Sequence, residues 1–84
     1  MKIQIEPHTL ERAIEHGTNE QEIKEVIETG FEIPAKHGRI GRAKVYEFNQ
    51  ERHGKYFEQK RVELYYVVEE NLTVTVTVYV FYGK

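Results

Sequence analysis

Three residues near the start carry the first candidate chemistry. His8, Arg12 and His16 recur every four positions. At about 100° per residue they share one side of a helix with Glu15. A histidine able to move a proton, beside a cation able to bind phosphate, suffices for RNA cleavage without a metal. The base takes the proton of a 2′-hydroxyl and the cation stabilises the phosphorane. Taken singly, the same residues also fit the commoner role of a solvated helix face, with His8 near the helix start. A zinc site is disfavoured: His8 and His16 are eight residues apart, too far for one chelate, and the chain has no Cys.

A second constellation is the basic middle. Lys36, His37, Arg39, Arg42 and Lys44, then Arg52, His53, Lys55, Lys60 and Arg61, interleave with Tyr46, Phe48, Tyr56 and Phe57. Positive charge beside aromatic platforms is how proteins hold single-stranded RNA. A solvated loop with edge charges that block aggregation fits the same residues. Gly38 and Gly41 do not make a phosphate loop, since no Gly-Lys-Thr and no helix follow. Near the end, Thr77 and Tyr79 can donate hydrogen bonds to a phosphate, or serve as ordinary strand surface.

Composition narrows the chemistry. The 84 residues contain no Cys, Ser, Asp or Trp. That removes Ser and Cys nucleophiles, triads built on Asp, EF-hands and two-Asp metal clamps. His, Glu, Lys, Arg, Tyr and Thr remain, with no cofactor or metal expected. Acids that are all Glu, with sparse Asn and Gln, lean towards a heat-tolerant source. The net charge of −2 conceals an asymmetry. Up to Ile33 eight Glu face three Lys/Arg, whereas from Pro34 to Arg61 eight Lys/Arg face three Glu. One surface can therefore meet an anion while another repels it. No apolar run resembles a signal peptide or approaches the ~20 residues of a membrane span, so a cytoplasmic protein without membrane contact is expected.

These residues need elements to hold them. Leu72 to Tyr82 alternates Leu72, Val74, Val76, Val78, Val80 and Tyr82 with Thr73, Thr75, Thr77, Tyr79 and Phe81. Period two over eleven residues predicts a strand with a core-facing valine side. Tyr56 to Val68 predicts a second strand with Val62, Leu64, Tyr66 and Val68 inward, joined by a tight turn at Glu69-Glu70-Asn71. Ala43 to Phe48 predicts a third, and Ile3 and Ile5 a short strand or arm ending at Pro7. Leu10, Ala13 and Ile14 give the first helix its stripe, and Gly17 ends it. Thr18 to Gln21 reads as a capping box with Thr18 as N-cap. Ile23, Val26 and Ile27 line the second helix, with Gly30 and Phe31 expected to close a Schellman-type cap. The stretch from Glu32 to Gly41 reads as irregular. The sum is one α+β domain over 1–84: two N-terminal helices on one face of a three- to four-stranded antiparallel sheet.

In this order the features resemble a family. The stretch from Ile5 to Thr18 resembles the pattern His-Ala-x-x-Arg … Arg-Gly-Ile-Ser/Thr-x-x-Glu-Ile, which opens a small prokaryotic family of unassigned function. Arg61 to Glu69 followed by Val74 to Tyr79 resembles its closing hairpin. Such proteins are similar to the BrnT and RelE toxins of toxin–antitoxin pairs, which cleave RNA without metal. The resemblance implies a RelE-like fold, family positions at His8, Arg12, Thr77 and Tyr79, and an antitoxin-like partner. The expected catalytic set is His8, Arg12, Arg61 and Tyr79. The expected RNA-binding set is Lys36, Arg39, Arg42, Lys44, Lys60, Tyr65 and Thr77. The alternative is a non-catalytic module that binds protein or RNA through its sheet face, and a homodimer through that face also stays open.

Overall fold

The computed structural model describes residues 2–84. Strand β1 (Lys2–Gln4) leads into helices α1 (Pro7–His16) and α2 (Glu20–Thr29). Strands β2 (Phe31–Ile33), β3 (Ile40–Arg52), β4 (Lys55–Glu69) and β5 (Leu72–Gly83) follow. The sheet order is β1-β5-β4-β3-β2. The α+β architecture with both helices ahead of the long hairpins agrees with the sequence. The sheet itself has five strands and is mixed, because β1 lies parallel to β5. The two short outer strands are what the sequence conceals. β1 and β2 have three residues each, too few for periodicity to speak.

Two-residue turns close both long hairpins. His53 and Gly54 have φ of 52° and 81°, and Glu70 and Asn71 have φ of 47° and 70°. These left-handed pairs match the twist of the flanking strands. The last hairpin turns as expected. The third strand runs well beyond Ala43 to Phe48, with an irregularity between Glu47 and Gln50 that absorbs the polar residues.

The core is made of Ala13, Ile23, Val26, Ile27, Val62, Leu64, Tyr66 and Val78. On β4 the expected inward residues Val62, Leu64 and Tyr66 are buried, while Val68, one pair from the end of the hairpin, is 50% exposed. On β5 the expected valine face is corrected. Tyr65 pairs with Thr77 and Tyr66 with Thr75, which leaves Val76 as an extra residue. Such a bulge reverses the alternation. Before it, Thr73 and Thr75 point into the core and are buried. After it, Val78 is buried and Thr77, Tyr79 and Phe81 face away from the helices. Thr75 is satisfied there: its Oγ1 accepts from the Glu6 N–H at 3.0 Å.

Helix ends also differ from expectation. Asn19, one residue after Thr18, is the N-cap of α2 and accepts from the Glu22 N–H at 2.9 Å. Thr18 is buried and donates to the Glu22 carboxylate at 2.8 Å. The Schellman cap belongs to α1. Gly17 has φ of 96°, its N–H bonds Ile14 O, and the Thr18 N–H bonds Ala13 O. Gly30 is extended, with ψ of 166°, so no Schellman cap forms there. A Cβ on it would lie 2.7 Å from Ala43 O, so the residue serves close approach of helix to sheet.

Candidate functional site

The helices cover one face of the sheet and leave the other open. Cross-strand pairing assigns residues to the open face in rows. Gly41, Tyr65 and Thr77 form one row; Ala43, Glu63 and Tyr79 the next; Val45, Arg61 and Phe81 the third. Rows lie about 6.8 Å apart, two residues of strand. Above the first two rows sits the β2–β3 turn. The Arg39 N–H bonds Lys36 O at 3.2 Å, and His37 and Gly38 are left-handed, with φ of 60° and 73°. The turn thereby presents Lys36, His37 and Arg39 over Tyr65, Thr77 and Tyr79, and these six line a pocket of about 220 Å³.

The floor is a network of rings and charges. Tyr65 and Tyr79 meet edge to face with centroids 6.0 Å apart, and Tyr79 stacks on Phe81 at 6.4 Å. Glu63 pairs with Tyr79 in the second row. Its carboxylate accepts from Arg61 Nε at 2.7 Å, and its charge acts on the Tyr65 hydroxyl. The Arg61 guanidinium also lies 5.1 Å over the Phe31 ring. Burial first, then the Glu63 charge, pushes the Tyr65 hydroxyl above its ordinary pKa.

His8 and Arg12 occupy a different place. β1 pairs with β5 only as far as Val74, so the edge of β5 beyond it needs partners. Helix α1 supplies them. Val76 O accepts from His8 Nε2 at 3.3 Å and from Thr9 Oγ1 at 3.4 Å, and Val78 O accepts from Arg12 Nε at 3.0 Å. The Arg12 guanidinium also reaches the Tyr79 ring, 5.1 Å from its centroid. Arg12 thus joins the rim of the open face, and His8 is not among the residues lining its pocket.

Three cations expected to bind RNA are on the other side. Lys60 pairs with Tyr46 and Tyr82 in the helix-facing register and is 8% exposed. Its Nζ contacts Glu22 and Gly17 O, both at 2.8 Å. Arg42 bonds Gly30 O at 2.8 Å, and Lys44 donates to Thr29 Oγ1 at 2.7 Å. Lys60 acts with Arg52 and Tyr82, which bond Glu15 O and His16 O, to satisfy the carbonyl end of α1. These side chains are committed to helix packing, and the basic stretch of sequence is not one surface.

Of the expected site residues, Lys36, Arg39, Tyr65, Thr77, Tyr79 and Arg61 share the open face, with Arg12 at its edge. Two more belong with them. His37 stood within the basic run, yet only the left-handed turn sets it over the tyrosines. Glu63 shares strand parity with Arg61 and Tyr65, which is a usable sequence signal. Among the described residues no group of three His or Glu side chains converges as a metal cage. Among the described residues no helix is long and apolar enough to cross a membrane. No family model, curated protein or solved structure matches the chain.

Proposed function

We propose that this chain is a RelE/BrnT-like RNA-binding protein that holds a single strand on its open sheet face and cleaves it without a metal. The observation that carries the reading is the convergence of Lys36, His37 and Arg39 on Tyr65, Thr77 and Tyr79 around one pocket. Two flexible cations suit a phosphate, the aromatic floor suits an unstacked base, and His37 supplies an imidazole able to accept a proton. In the cleavage step His37 accepts the 2′-hydroxyl proton and the freed oxygen attacks the adjacent phosphorus. Lys36 and Arg39 neutralise the phosphorane, and Tyr79 protonates the departing 5′-oxygen. The products are a 2′,3′-cyclic phosphate and a 5′-hydroxyl. His8, assigned the proton transfer from sequence, holds the β5 edge in this reading.

A second reading, RNA binding without cleavage, is favoured by a specific observation. Two of the four residues expected to be catalytic, His8 and Arg12, make hydrogen bonds that close a strand edge. Incubation of purified protein with RNA in EDTA separates the two. Under the first reading the wild type cuts, His37→Ala loses at least a hundredfold in rate, and His8→Ala loses less than tenfold. Binding without any cutting by the wild type selects the second reading. Equal cutting by wild type and His37→Ala overturns the assignment of the base.

A further inference from the structure

Four large apolar side chains stand out from the open face in adjacent rows. Phe31 and Tyr79 flank Ala43 and Glu63 in the second row, and Val45 and Phe81 flank Arg61 in the third. All four are between 39% and 52% exposed, and an apolar patch of this kind marks an interaction surface. The charges at its centre identify the partner. Arg61 and Glu63 lie two residues apart on β4, the middle strand, and their ion pair at 2.7 Å sets a cation and an anion side by side. A surface with both signs in adjacent rows is complementary to itself turned about a two-fold axis. An axis along the rows, between the second and the third, lays β4 antiparallel on its copy. Arg61 then faces Glu63 of the second copy and Glu63 faces its Arg61. Tyr79 faces Phe81, and the small Ala43 faces Val45. Sheets packed face to face keep their strands within about 30° of each other, which suits this arrangement.

We infer that the open face pairs with a second copy of this chain, in an antiparallel two-fold register that sets Arg61 on Glu63 and Tyr79 on Phe81. The outline of the molecule agrees with the same axis. The row of Gly41, Tyr65 and Thr77, under the β2–β3 turn, faces the row of Glu47, Gln59 and Gly83. At that end the face holds a hollow of about 280 Å³, between Val45, Gln59, Phe81 and Gly83, with room for the turn of the second copy. Glu47 is exposed in the same row and meets the Lys36 and Arg39 that the turn carries. With extents of 43 × 23 × 21 Å, the molecule can bury on this face the roughly 800 Å² per partner of a stable dimer. Tyr79 and the turn lie inside the interface, so the dimer and an RNA-bound chain exclude one another. The inference stands apart from the RNA-binding reading, which concerns the single chain.

The test is sedimentation equilibrium of the full chain without RNA, at about 100 µM, a concentration that reveals even a weak dimer. The expected wild-type mass is twice the 10.0 kDa of one chain. Arg61→Glu and Glu63→Arg are each monomeric, because each sets like charges against one another across the axis. Mixed in equal amounts they pair, since one copy then brings two carboxylates and the other two guanidiniums. That rescue cannot come from the bond between Arg61 and Glu63 within one chain, which is broken in both variants. Circular dichroism checks that the variants fold. Phe81→Ala keeps the ion pair and weakens the dimer at least tenfold, which decides the matter if a charge variant does not fold. A monomeric wild type overturns the inference. So do charge variants that dimerise alone or stay monomeric when mixed, and an undiminished dimer in Phe81→Ala. None of these results alters the reading of RNA binding by the single chain.

Discussion

Lys60 and Lys36 show how little a residue's type says about its work. Both are lysines of the basic middle, yet one is buried against a helix pair and the other lines the open pocket. Lys60→Met strips Glu22 of its cationic partner, leaving only the Thr18 hydroxyl, and Gly17 O of its donor, in a pair whose side chains are only 10% and 18% exposed. Breaking such a pair costs about 3 kcal/mol. Urea unfolding should show that loss, while the folded variant keeps wild-type RNA affinity; Lys36→Ala should do the reverse. The tyrosines carry a pH signature. Burial is the leading cause raising the hydroxyls of Tyr46, Tyr65 and Tyr82, with the Glu25 bond adding to it at Tyr46. A phenol whose ionisation is raised by folding stabilises the native state fully below its unfolded pKa of ~10. That contribution is lost as pH rises from there through the folded values. Ultraviolet titration should find the Tyr46, Tyr65 and Tyr82 phenols ionising late, with stability falling over the same window. Six phenols ionising together near pH ~10 would contradict these burial assignments.

At the scale of elements, β5 holds both the clearest sequence signal and the main departure from it. Its eleven alternating residues made the strand unmistakable, and nothing in them marked the bulge, because Val76 is a valine in phase with its neighbours. The bulge is set by pairing across Tyr65 and Tyr66, which no local pattern carries. Its consequence is chemical: Thr75 enters the core, and Thr77, Tyr79 and Phe81 turn to the open face. Thr75→Val leaves the Glu6 N–H without its acceptor and should cost about 1–3 kcal/mol. Thr77→Val, on the open face, should stay within about 0.5 kcal/mol. Equal costs at the two positions would mean that the alternation is unbroken. The second helix was readable because its stripe of Ile23, Val26 and Ile27 lies within one element, whereas Ile14 of the expected first-helix stripe is 65% exposed. Caps were misplaced by a residue or assigned to the wrong helix, because both Thr18 and Asn19 can cap and both Gly17 and Gly30 can end a helix. The site was half readable for the same reason. Parity on β4 already put Val62 and Leu64 inward, and so Lys60 with them, while the turn that raises His37 depends on the three-residue strand β2.

For the whole molecule, the mixed sheet divides the charge that the sequence presents as one run. Arg42, Lys44 and Lys60 secure the helices; Lys36, Arg39 and Arg61 face outward over aromatic rings. A chain with a net charge of −2 can still present a local cationic face in this way. The extended shape, 43 Å in its longest dimension, follows from the long hairpins and gives that face its length. Which face meets RNA is decided by anisotropy of a labelled single strand titrated with salt. Lys36→Ala/Arg39→Ala is compared with Lys24→Ala/Lys44→Ala, two cations removed from each side. The expected result is a loss of affinity for the first pair alone. The slope of log K against log salt becomes shallower by about 1.4, the share of two phosphate contacts on a single strand. An unchanged slope in the first pair, or an equal loss in the second, would contradict RNA binding on the open face.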